Sequence, residues 1–177
     1  MNSPRKIILE VAVSLDGLIE GPHGEYDWCF NDQDYGLEDF VKRIDTIFFG
    51  RKSYDVMQKE IEKSGQNPFP GIESYVFSTT LTKVAGAHVI GSDFIHIVNK
   101  IKKEAGKDIW LFGGAVLVAS LLNAGLVDEI YLAVHPIILG TGKPLFQGVN
   151  GRIKTQLIDS KSYSTGLISL HYQIVRN

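Results

Sequence analysis

Residues Trp110–Leu122 read WLFGGAVLVASLL, and this stretch decides the fold class. An apolar, strand-like run ends at Phe112, two glycines follow, and the next apolar run has the length of a helix. Short strands that are apolar throughout are typical of a parallel sheet that is covered on both faces. The stretch therefore predicts a strand, a tight turn and a helix within an α/β sheet.

The same order of strand and helix continues on both sides of this stretch. Strands are predicted at residues 6–13, 46–49, 74–78, 87–90, 109–112 and 129–134, and helices at 34–44, 51–62, 93–106 and 115–123. The last third differs, because residues 153–163 and 167–175 have the pattern of an antiparallel hairpin. We expect a single α/β domain over residues 1–177, with a mostly parallel central sheet and an antiparallel C-terminal hairpin.

Composition excludes several classes of protein. The net charge of −2 without a clustered basic face argues against nucleic-acid binding. Cys29 is the only cysteine, so no intramolecular disulfide can form and a cytoplasmic location is expected. The apolar N-terminal run is interrupted by Glu10 and Asp16, which favours a first strand over a signal peptide. No stretch approaches the roughly 18 apolar residues of a membrane span.

Three of the predicted strands end in glycines or hydroxyl side chains. The stretches are GRKSYD from Gly50, STT from Ser78 and GGA from Gly113. Ligands of open α/β sheets bind at the carboxyl ends of the strands, and helix N-termini present unpaired N–H groups that suit phosphate. Any one of these glycines could serve only as a turn. Together the three sites predict that the chain binds a dinucleotide or a similar anion.

Several common motifs are absent from the sequence. It contains no G-x-G-x-x-G dinucleotide fingerprint, no P-loop and no G-x-S-x-G hydrolase elbow. The five histidines lack the paired spacing of metal ligands, so no metal site is predicted.

Four stretches resemble the dihydrofolate reductase-like superfamily. They are VSLDGLIEG (13–21), FGRKSYD (49–55), VFSTTL (76–81) and LFGGAVLVASLLNAGLVDEIYLAVHPIILGTGKPLF (111–146). The last is the most specific, and it is similar to stand-alone proteins resembling the reductase (C-terminal) domain of the bifunctional riboflavin-biosynthesis deaminase-reductase. The resemblance implies a three-layer dihydrofolate reductase-like fold. It also implies an NADPH-dependent oxidoreductase, cytoplasmic and homodimeric, that acts on a small heterocycle without nucleic-acid or membrane partners.

The resemblance also assigns the cofactor-binding residues. NADPH would contact Ala12, Ile19, Gly50, Arg51, Lys52, Ser53, Ser78, Thr79, Thr80, Gly113, Gly114, Ala115 and Val116. Residues 50–53 would hold the pyrophosphate or the 2′-phosphate, residues 78–80 would lie along the adenosine ribose, and residues 113–116 would cradle the pyrophosphate and abut the nicotinamide. Ala12 would touch the nicotinamide, and the loop 16–19 would cover it. A cis peptide bond at the paired glycines is implied as well.

Candidate catalytic residues follow from the same resemblance. In folate reductases an acidic residue on the first helix, shortly after a tryptophan, helps to protonate the substrate nitrogen. Here Trp28 is followed by Asp32 and Asp34, and Asp34 matches the family's spacing to Gly50 better. Asp34 reads equally as a helix N-cap. The candidate substrate-stacking aromatics, which read equally as core residues, are Trp28, Phe30, Tyr35 and Tyr54.

The implied reaction is hydride transfer from NADPH to a C=N-type heterocyclic substrate. The first-ranked substrate is 5-amino-6-(5-phosphoribosylamino)uracil, an intermediate of riboflavin biosynthesis. However, DVMQKEIEKSGQNPFPG (55–71) replaces the Asp-Pro-x-Leu-x-x-Arg-like segment of true riboflavin reductases, so dihydrofolate remains an alternative substrate. Further alternatives are a nucleotide-binding protein without turnover, and an α/β domain whose glycines only form turns.

Overall fold

The structure is a computed structural model that describes residues 4–176. Its strands are β1 (Ile7–Ser14), β2 (Leu18–Glu20), β3 (Ile44–Gly50), β4 (Glu73–Phe77), β5 (His88–Ile90), β6 (Asp108–Gly113), β7 (Glu129–His135), β8 (Lys143–Pro144), β9 (Thr155–Ser162) and β10 (Ile168–Ile174). Its helices are α1 (Leu37–Lys42), α2 (Arg51–Ser64), α3 (Phe94–Lys103) and α4 (Ala115–Asn123). No helix within residues 4–176 is both long and apolar enough to cross a membrane.

The main sheet has eight strands in the order β5-β4-β3-β6-β1-β7-β10-β9. From β5 to β7 every neighbouring pair is parallel. The C-terminal hairpin adds β10 and β9 in antiparallel orientation. The predicted α/β sheet with its antiparallel C-terminal hairpin is confirmed.

The apolar strands build a core on each face of the sheet, because successive side chains of a strand point to opposite faces. On one face, Leu9 and Leu111 pack with the apolar sides of α3 and α4. On the other face, Ile8 and Trp110 pack with Phe40 of α1 and with α2. Helices therefore cover both faces of the sheet, which confirms the three-layer arrangement.

Helix α1 is shorter than the helix predicted over residues 34–44. The Asp34 carboxylate accepts hydrogen bonds from the backbone N–H groups of Gly36 (3.2 Å) and Glu38 (3.1 Å). Gly36 has φ 96°, a left-handed conformation that favours glycine. The chain therefore turns at Gly36 and becomes helical only at Leu37.

The sequence patterns missed a small second sheet, formed by β2 and β8. Both strands are very short, and they lie more than a hundred residues apart in the chain. The Leu18 N–H donates to the Ser14 hydroxyl (2.9 Å), and this bond directs the chain from β1 into β2. Such pairing depends on tertiary contacts, which local periodicity does not report.

Candidate functional site

The carboxyl ends of β3 and β6 lie side by side, and three glycines meet there. Phe49 pairs in register with Gly113, and the peptide bond between Gly113 and Gly114 is cis, as the resemblance implied. A Cβ atom on Gly50 would lie 3.3 Å from both the Gly113 carbonyl oxygen and the Gly114 nitrogen. The close approach of these two chain segments therefore leaves little room for a side chain at position 50.

Two helix N-termini open at this junction. Gly50 is the N-cap of α2 and Gly114 is the N-cap of α4, and neither provides a side-chain capping bond. Neither helix has an acidic residue in its first turn. The Ser53 hydroxyl oxygen lies 3.3 Å from where a Cβ atom on Gly114 would be. Uncapped N–H groups, partial positive charge and a hydroxyl suit a phosphate ligand.

The basic residues of α2 lie at the opening of this junction. The Arg51 Nε donates to both carboxylate oxygens of Asp55, at 2.8 and 2.7 Å, and the side chain remains 43% exposed. Lys52 is exposed. Both cations lie in the first turn of α2, where a phosphate near the helix N-terminus is within their reach.

The predicted ribose-contacting residues follow β4. The Ser78 hydroxyl oxygen accepts the N–H groups of Thr80 (3.2 Å) and Leu81 (3.1 Å), so it organises its own turn. Thr79 and Thr80 are exposed. Because Gly50 pairs in register with Phe77, this turn lies beside the glycine junction.

On α4, the two predicted residues have different environments. Ala115 is buried, whereas Val116 is 77% exposed. An exposed apolar side chain one residue inside the helix could contact an apolar part of a ligand. Among the described residues, the structure thus places Val116 at the surface of the junction and Ala115 beneath it.

The loop after β1 is fixed by polar contacts. The buried Ser14 hydroxyl donates to the Asp16 carboxylate (2.6 Å), which also accepts the N–H groups of Gly140 (2.8 Å) and Leu139 (3.2 Å). These hydrogen bonds, that of Ser14 first, lower the pKa of Asp16 to about 2. Asp16 therefore joins the predicted lid loop to the segment that precedes β8.

Ala12 and Ile19 flank this loop. Ala12 is half-buried on β1 and pairs in register with Ala133 of β7. Ile19 is half-buried on β2 and packs against the core that contains α3 and α4. The two residues therefore lie at the β1 side of the site, and their contacts with a cofactor remain a prediction.

Three of the four predicted aromatics form a continuous row. Trp28 and Phe30 both contact the His135 ring, with ring centroids 5.3 and 5.0 Å away, and Tyr35 follows 6.3 Å from Phe30. The Trp28 Nε1 is buried and has no hydrogen-bond partner among residues 4–176. An indole N–H without a partner is a donor available to a ligand.

Tyr54 lies apart from this row. Its side chain is buried, its hydroxyl donates to the Ala85 carbonyl oxygen (2.6 Å), and its ring packs on Phe49 (5.5 Å). The structure places Tyr54 in the core beneath α2, so the alternative reading of this residue as a core aromatic fits its surroundings. The helical position alone did not distinguish a core from a ligand-facing side chain.

The predicted catalytic carboxylates are both exposed and already have partners. Asp32 accepts the Tyr35 hydroxyl (2.6 Å), and Asp34 accepts the two N–H groups that precede and open α1. The N-cap of α1 is Gly36 and not Asp34, but the Asp34 carboxylate bonds backbone N–H groups at the start of that helix. The catalytic role of either residue remains a prediction.

The sequence analysis did not select two further polar residues of the site. His135 is buried; its Nε2 accepts the Phe30 N–H (3.1 Å) and its Nδ1 lies 3.0 Å from the Ala133 carbonyl oxygen, so the proton belongs on Nδ1. Glu10 lies in the middle of β1, where burial raises the pKa of its carboxyl to about 7. In the sequence, Glu10 could have been recognised as the single acidic residue inside an apolar strand.

Known proteins share both the sequence and the fold of this chain. YyaP of Bacillus subtilis (strain 168), described as an uncharacterized protein, is 44% identical over 180 residues, covering 95% of this chain and 94% of YyaP. The crystal structure of a candidate riboflavin biosynthesis protein from Shewanella sp. PV-4 matches with a TM-score of 0.82 and 25% identity, covering 97% of this chain and 99% of that one.

Two more distant structures share the fold. Dihydrofolate reductase from Enterococcus faecalis, complexed with NADP(H), matches with a TM-score of 0.68 and 18% identity over 97% of both chains. A diaminohydroxyphosphoribosylaminopyrimidine deaminase/5-amino-6-(5-phosphoribosylamino)uracil reductase from Thermotoga maritima matches with a TM-score of 0.72 and 13% identity, and 57% of it is covered. The dihydrofolate reductase-like fold is confirmed. Residues 5–169 match the family model described as RibD C-terminal domain, and the chain belongs to that family.

Proposed function

We propose that this protein is an NADPH-dependent reductase that transfers a hydride to a C=N-type heterocyclic substrate. The observation that carries the proposal is the junction of Gly50, Gly113 and Gly114, where two uncapped helix N-termini open side by side. Such a junction suits a pyrophosphate. Membership of the RibD C-terminal domain family supports a reductase of the pyrimidine type.

The chain's own residues would bind NADPH in three parts. The N-termini of α2 and α4, with the Ser53 hydroxyl, would hold the pyrophosphate. Arg51 and Lys52 would pair with the 2′-phosphate, and Arg51 would exchange its contact with Asp55 for the phosphate. The turn at residues 78–80 would lie along the adenosine ribose. When bound, NADPH supplies the hydride, and the protein orients the ring and the substrate.

The proposed substrate is 5-amino-6-(5-phosphoribosylamino)uracil, with dihydrofolate as the alternative. Both are flat heterocycles, and the row of Trp28, Phe30 and Tyr35 offers aromatic faces beside them. The unpartnered Trp28 indole N–H offers a hydrogen-bond donor in the same row. The name of the Thermotoga maritima protein includes reduction of this uracil, which agrees with the ranking.

The first test is a titration of the purified protein with NADPH and NADH, followed by the fluorescence of Trp28 and Trp110. We expect NADPH to quench the fluorescence saturably. The affinity for NADH should be at least about tenfold lower than that for NADPH, since charge-assisted contacts to the 2′-phosphate are among the stronger hydrogen bonds. Oxidation of NADPH would then be followed at 340 nm (the absorbance of the reduced nicotinamide) with each of the two substrates. Absence of binding by either nucleotide would refute the proposed function.

A second candidate function is nucleotide binding without turnover. The observation that favours it is that Asp32 and Asp34, the predicted acids, already bind Tyr35 and the start of α1. Tight NADPH binding together with no oxidation in the presence of either substrate would select this candidate.

Replacing Arg51 with alanine should weaken NADPH binding about tenfold and change NADH binding by less than about twofold. The reason is that only NADPH carries the 2′-phosphate that Arg51 would contact. The measurement is the same fluorescence titration, performed with both nucleotides. Asp55→Asn is the matched control: it frees Arg51 from its present partner and should leave NADPH binding equal or tighter. Equal losses for the two nucleotides in Arg51→Ala would place the contact elsewhere.

A further inference from the structure

Glu10 occupies an unusual place in the fold. It lies in the middle of β1, which is hydrogen-bonded to β6 on one side and to β7 on the other. Its neighbours Leu9 and Ile8 are completely buried. Glu10 itself is only partly buried. Since the strand edges are paired, the exposed part belongs to a side chain that stands on the face of the sheet.

That face is the one covered by α1, and it is aromatic at this point. Glu10 pairs in register with Tyr131, whose ring lies 5.6 Å from Phe40. On the other side, the Trp110 ring contacts Phe40 (5.3 Å) and Phe112 (5.1 Å). Residues that pair in register in a sheet share a face. The Glu10 carboxyl therefore stands in an apolar, aromatic surrounding.

The charged groups near this face are paired with one another and not with Glu10. Arg43, just after α1, donates to the Tyr131 hydroxyl (2.8 Å), to Asp108 (2.9 Å) and to Glu129 (3.3 Å). His171 of β10 stacks on Tyr131, and its Nε2 lies 3.0 Å from Glu129. Within residues 4–176, no side chain or backbone N–H group forms a hydrogen bond or an ion pair with the Glu10 carboxyl.

The Trp28 Nε1 is the only fully buried side-chain nitrogen or oxygen without a partner within residues 4–176, so the Glu10 carboxyl is not sealed in the core. It is a carboxyl without a protein partner, set among aromatic side chains and open to a ligand. Glu10 keeps part of its surface exposed, so α1 does not cover its side chain completely. In the parallel register of β1 and β6, Leu9 pairs with Leu111, so Glu10 lies close to the level of Phe112, the residue before Gly113 of the glycine junction.

We propose that Glu10 is the carboxylic acid that contacts the heterocyclic substrate and supplies the proton to its nitrogen. This inference rests on the proposed function and names a residue for its unassigned step. The hydride of NADPH adds to the carbon of the C=N bond, and the electron pair of that bond moves to the nitrogen. The nitrogen takes the proton of Glu10, which leaves a carboxylate and NADP⁺, and water then reprotonates Glu10.

The pKa of the Glu10 carboxyl also suits a proton donor. Burial raises the pKa of the Glu10 carboxyl to about 7, so near neutral pH a large fraction of the protein carries the acid form. A general acid is most effective when its pKa lies close to the pH at which it operates. Asp32 and Asp34 are exposed and already accept hydrogen bonds, whereas the Glu10 carboxyl has no partner within residues 4–176.

The test uses 2,4-diaminopyrimidine as a probe, because its ring nitrogen accepts a proton as the substrate nitrogen would. In wild-type protein, the side-chain carboxyl carbon of Glu10 is followed by carbon-13 NMR between pH 4 and pH 9, with and without the probe. We expect titration near neutrality without the probe, and a fall of about one pH unit or more with it, since pairing with a cation favours the carboxylate. Binding of the probe is measured in parallel by calorimetry.

Three variants complete the test. Glu10→Gln should bind the probe at least about tenfold more weakly than the wild type while keeping its NADPH affinity. The matched control is Glu73→Gln, at an exposed glutamate of β4, which should bind the probe normally. Asp34→Asn tests the competing carboxyl, and a loss of probe binding in Asp34→Asn but not in Glu10→Gln would overturn the inference.

The inference and the proposed function can fail separately. Titration of Glu10 in the ordinary range of a glutamate, or equal probe binding by Glu10→Gln and wild type, would overturn the role of Glu10 whatever the nucleotide titrations show. If the wild type does not bind NADPH but binding of the probe still depends on Glu10, the proposed reductase function is refuted. Glu10 then remains the carboxyl that recognises the heterocycle.

Discussion

Replacing Gly114 with alanine should weaken NADPH binding about tenfold, and replacing it with valine about a hundredfold, in proteins that remain folded. Gly114 has φ −84° and ψ −166°, an extended conformation that any residue adopts. The added Cβ would meet only the Ser53 hydroxyl, at 3.3 Å, and a side-chain hydroxyl can rotate away. The new side chain would occupy the space between the two helix N-termini where the pyrophosphate is proposed to lie.

The measurement is the NADPH titration, with thermal unfolding of each variant as the test of folding. Gly91→Ala is the matched control, because Gly91 also follows a strand but a Cβ there would meet nothing within 4 Å. It should bind NADPH like the wild type. A folded Gly114→Val protein with unchanged NADPH affinity would show that the glycine junction does not bind the cofactor.

Replacing Glu10 with glutamine should raise the free energy of unfolding at pH 8 by roughly 2–3 kcal/mol. At pH 4.5 the same replacement should change the free energy of unfolding little. Burial raises the folded-state pKa of Glu10 to about 7, from an ordinary glutamate value of 4.5. Between these values the folded protein holds a proton that the unfolded chain releases. Stability therefore falls as the pH rises through this window, and above pH 7 the folded protein carries the cost of a carboxylate in partly buried, apolar surroundings. Glutamine carries no charge and avoids that cost.

Chemical unfolding of both proteins at several pH values between 4.5 and 8 measures the difference. The free energy of unfolding of Glu10→Gln minus that of the wild type should increase steadily across the range. Glu73→Gln, which changes an exposed glutamate near His88, should show no comparable increase. A difference between Glu10→Gln and wild type that does not depend on pH would mean that Glu10 is solvated in the folded protein.

Much of the fold could be predicted because its signals are local. The run from Ile109 to Phe112 is apolar throughout, and such a run marks a buried strand without knowledge of its neighbours. The glycines at positions 50, 113 and 114 follow strands directly, and the carboxyl ends of parallel strands meet at one edge of a sheet. The junction of the three could therefore be expected before any contact between them was known.

Other features depend on contacts between distant segments. The β2–β8 sheet exists because Leu18 meets Pro144, and neither short segment has a periodic pattern of its own. Tyr54 and Trp28 look alike in the sequence, yet one is buried under α2 and the other lies in the aromatic row. The acid at position 10 is visible in the sequence, but its neighbour Tyr131 belongs to β7, more than a hundred residues away.

The strand order also has a consequence for folding during synthesis on the ribosome. Strand β1 is made first, yet its neighbours β6 and β7 begin only at Asp108 and Glu129. Translation proceeds at roughly 5–20 residues per second, so for several seconds the most apolar strand has both edges open. Unpaired strand edges are templates for association with other chains. A nascent chain that stalls before Asp108 therefore exposes β1 as an aggregation-prone strand. At that stage chaperones, rather than the strands β6 and β7, would have to keep β1 from pairing with other chains.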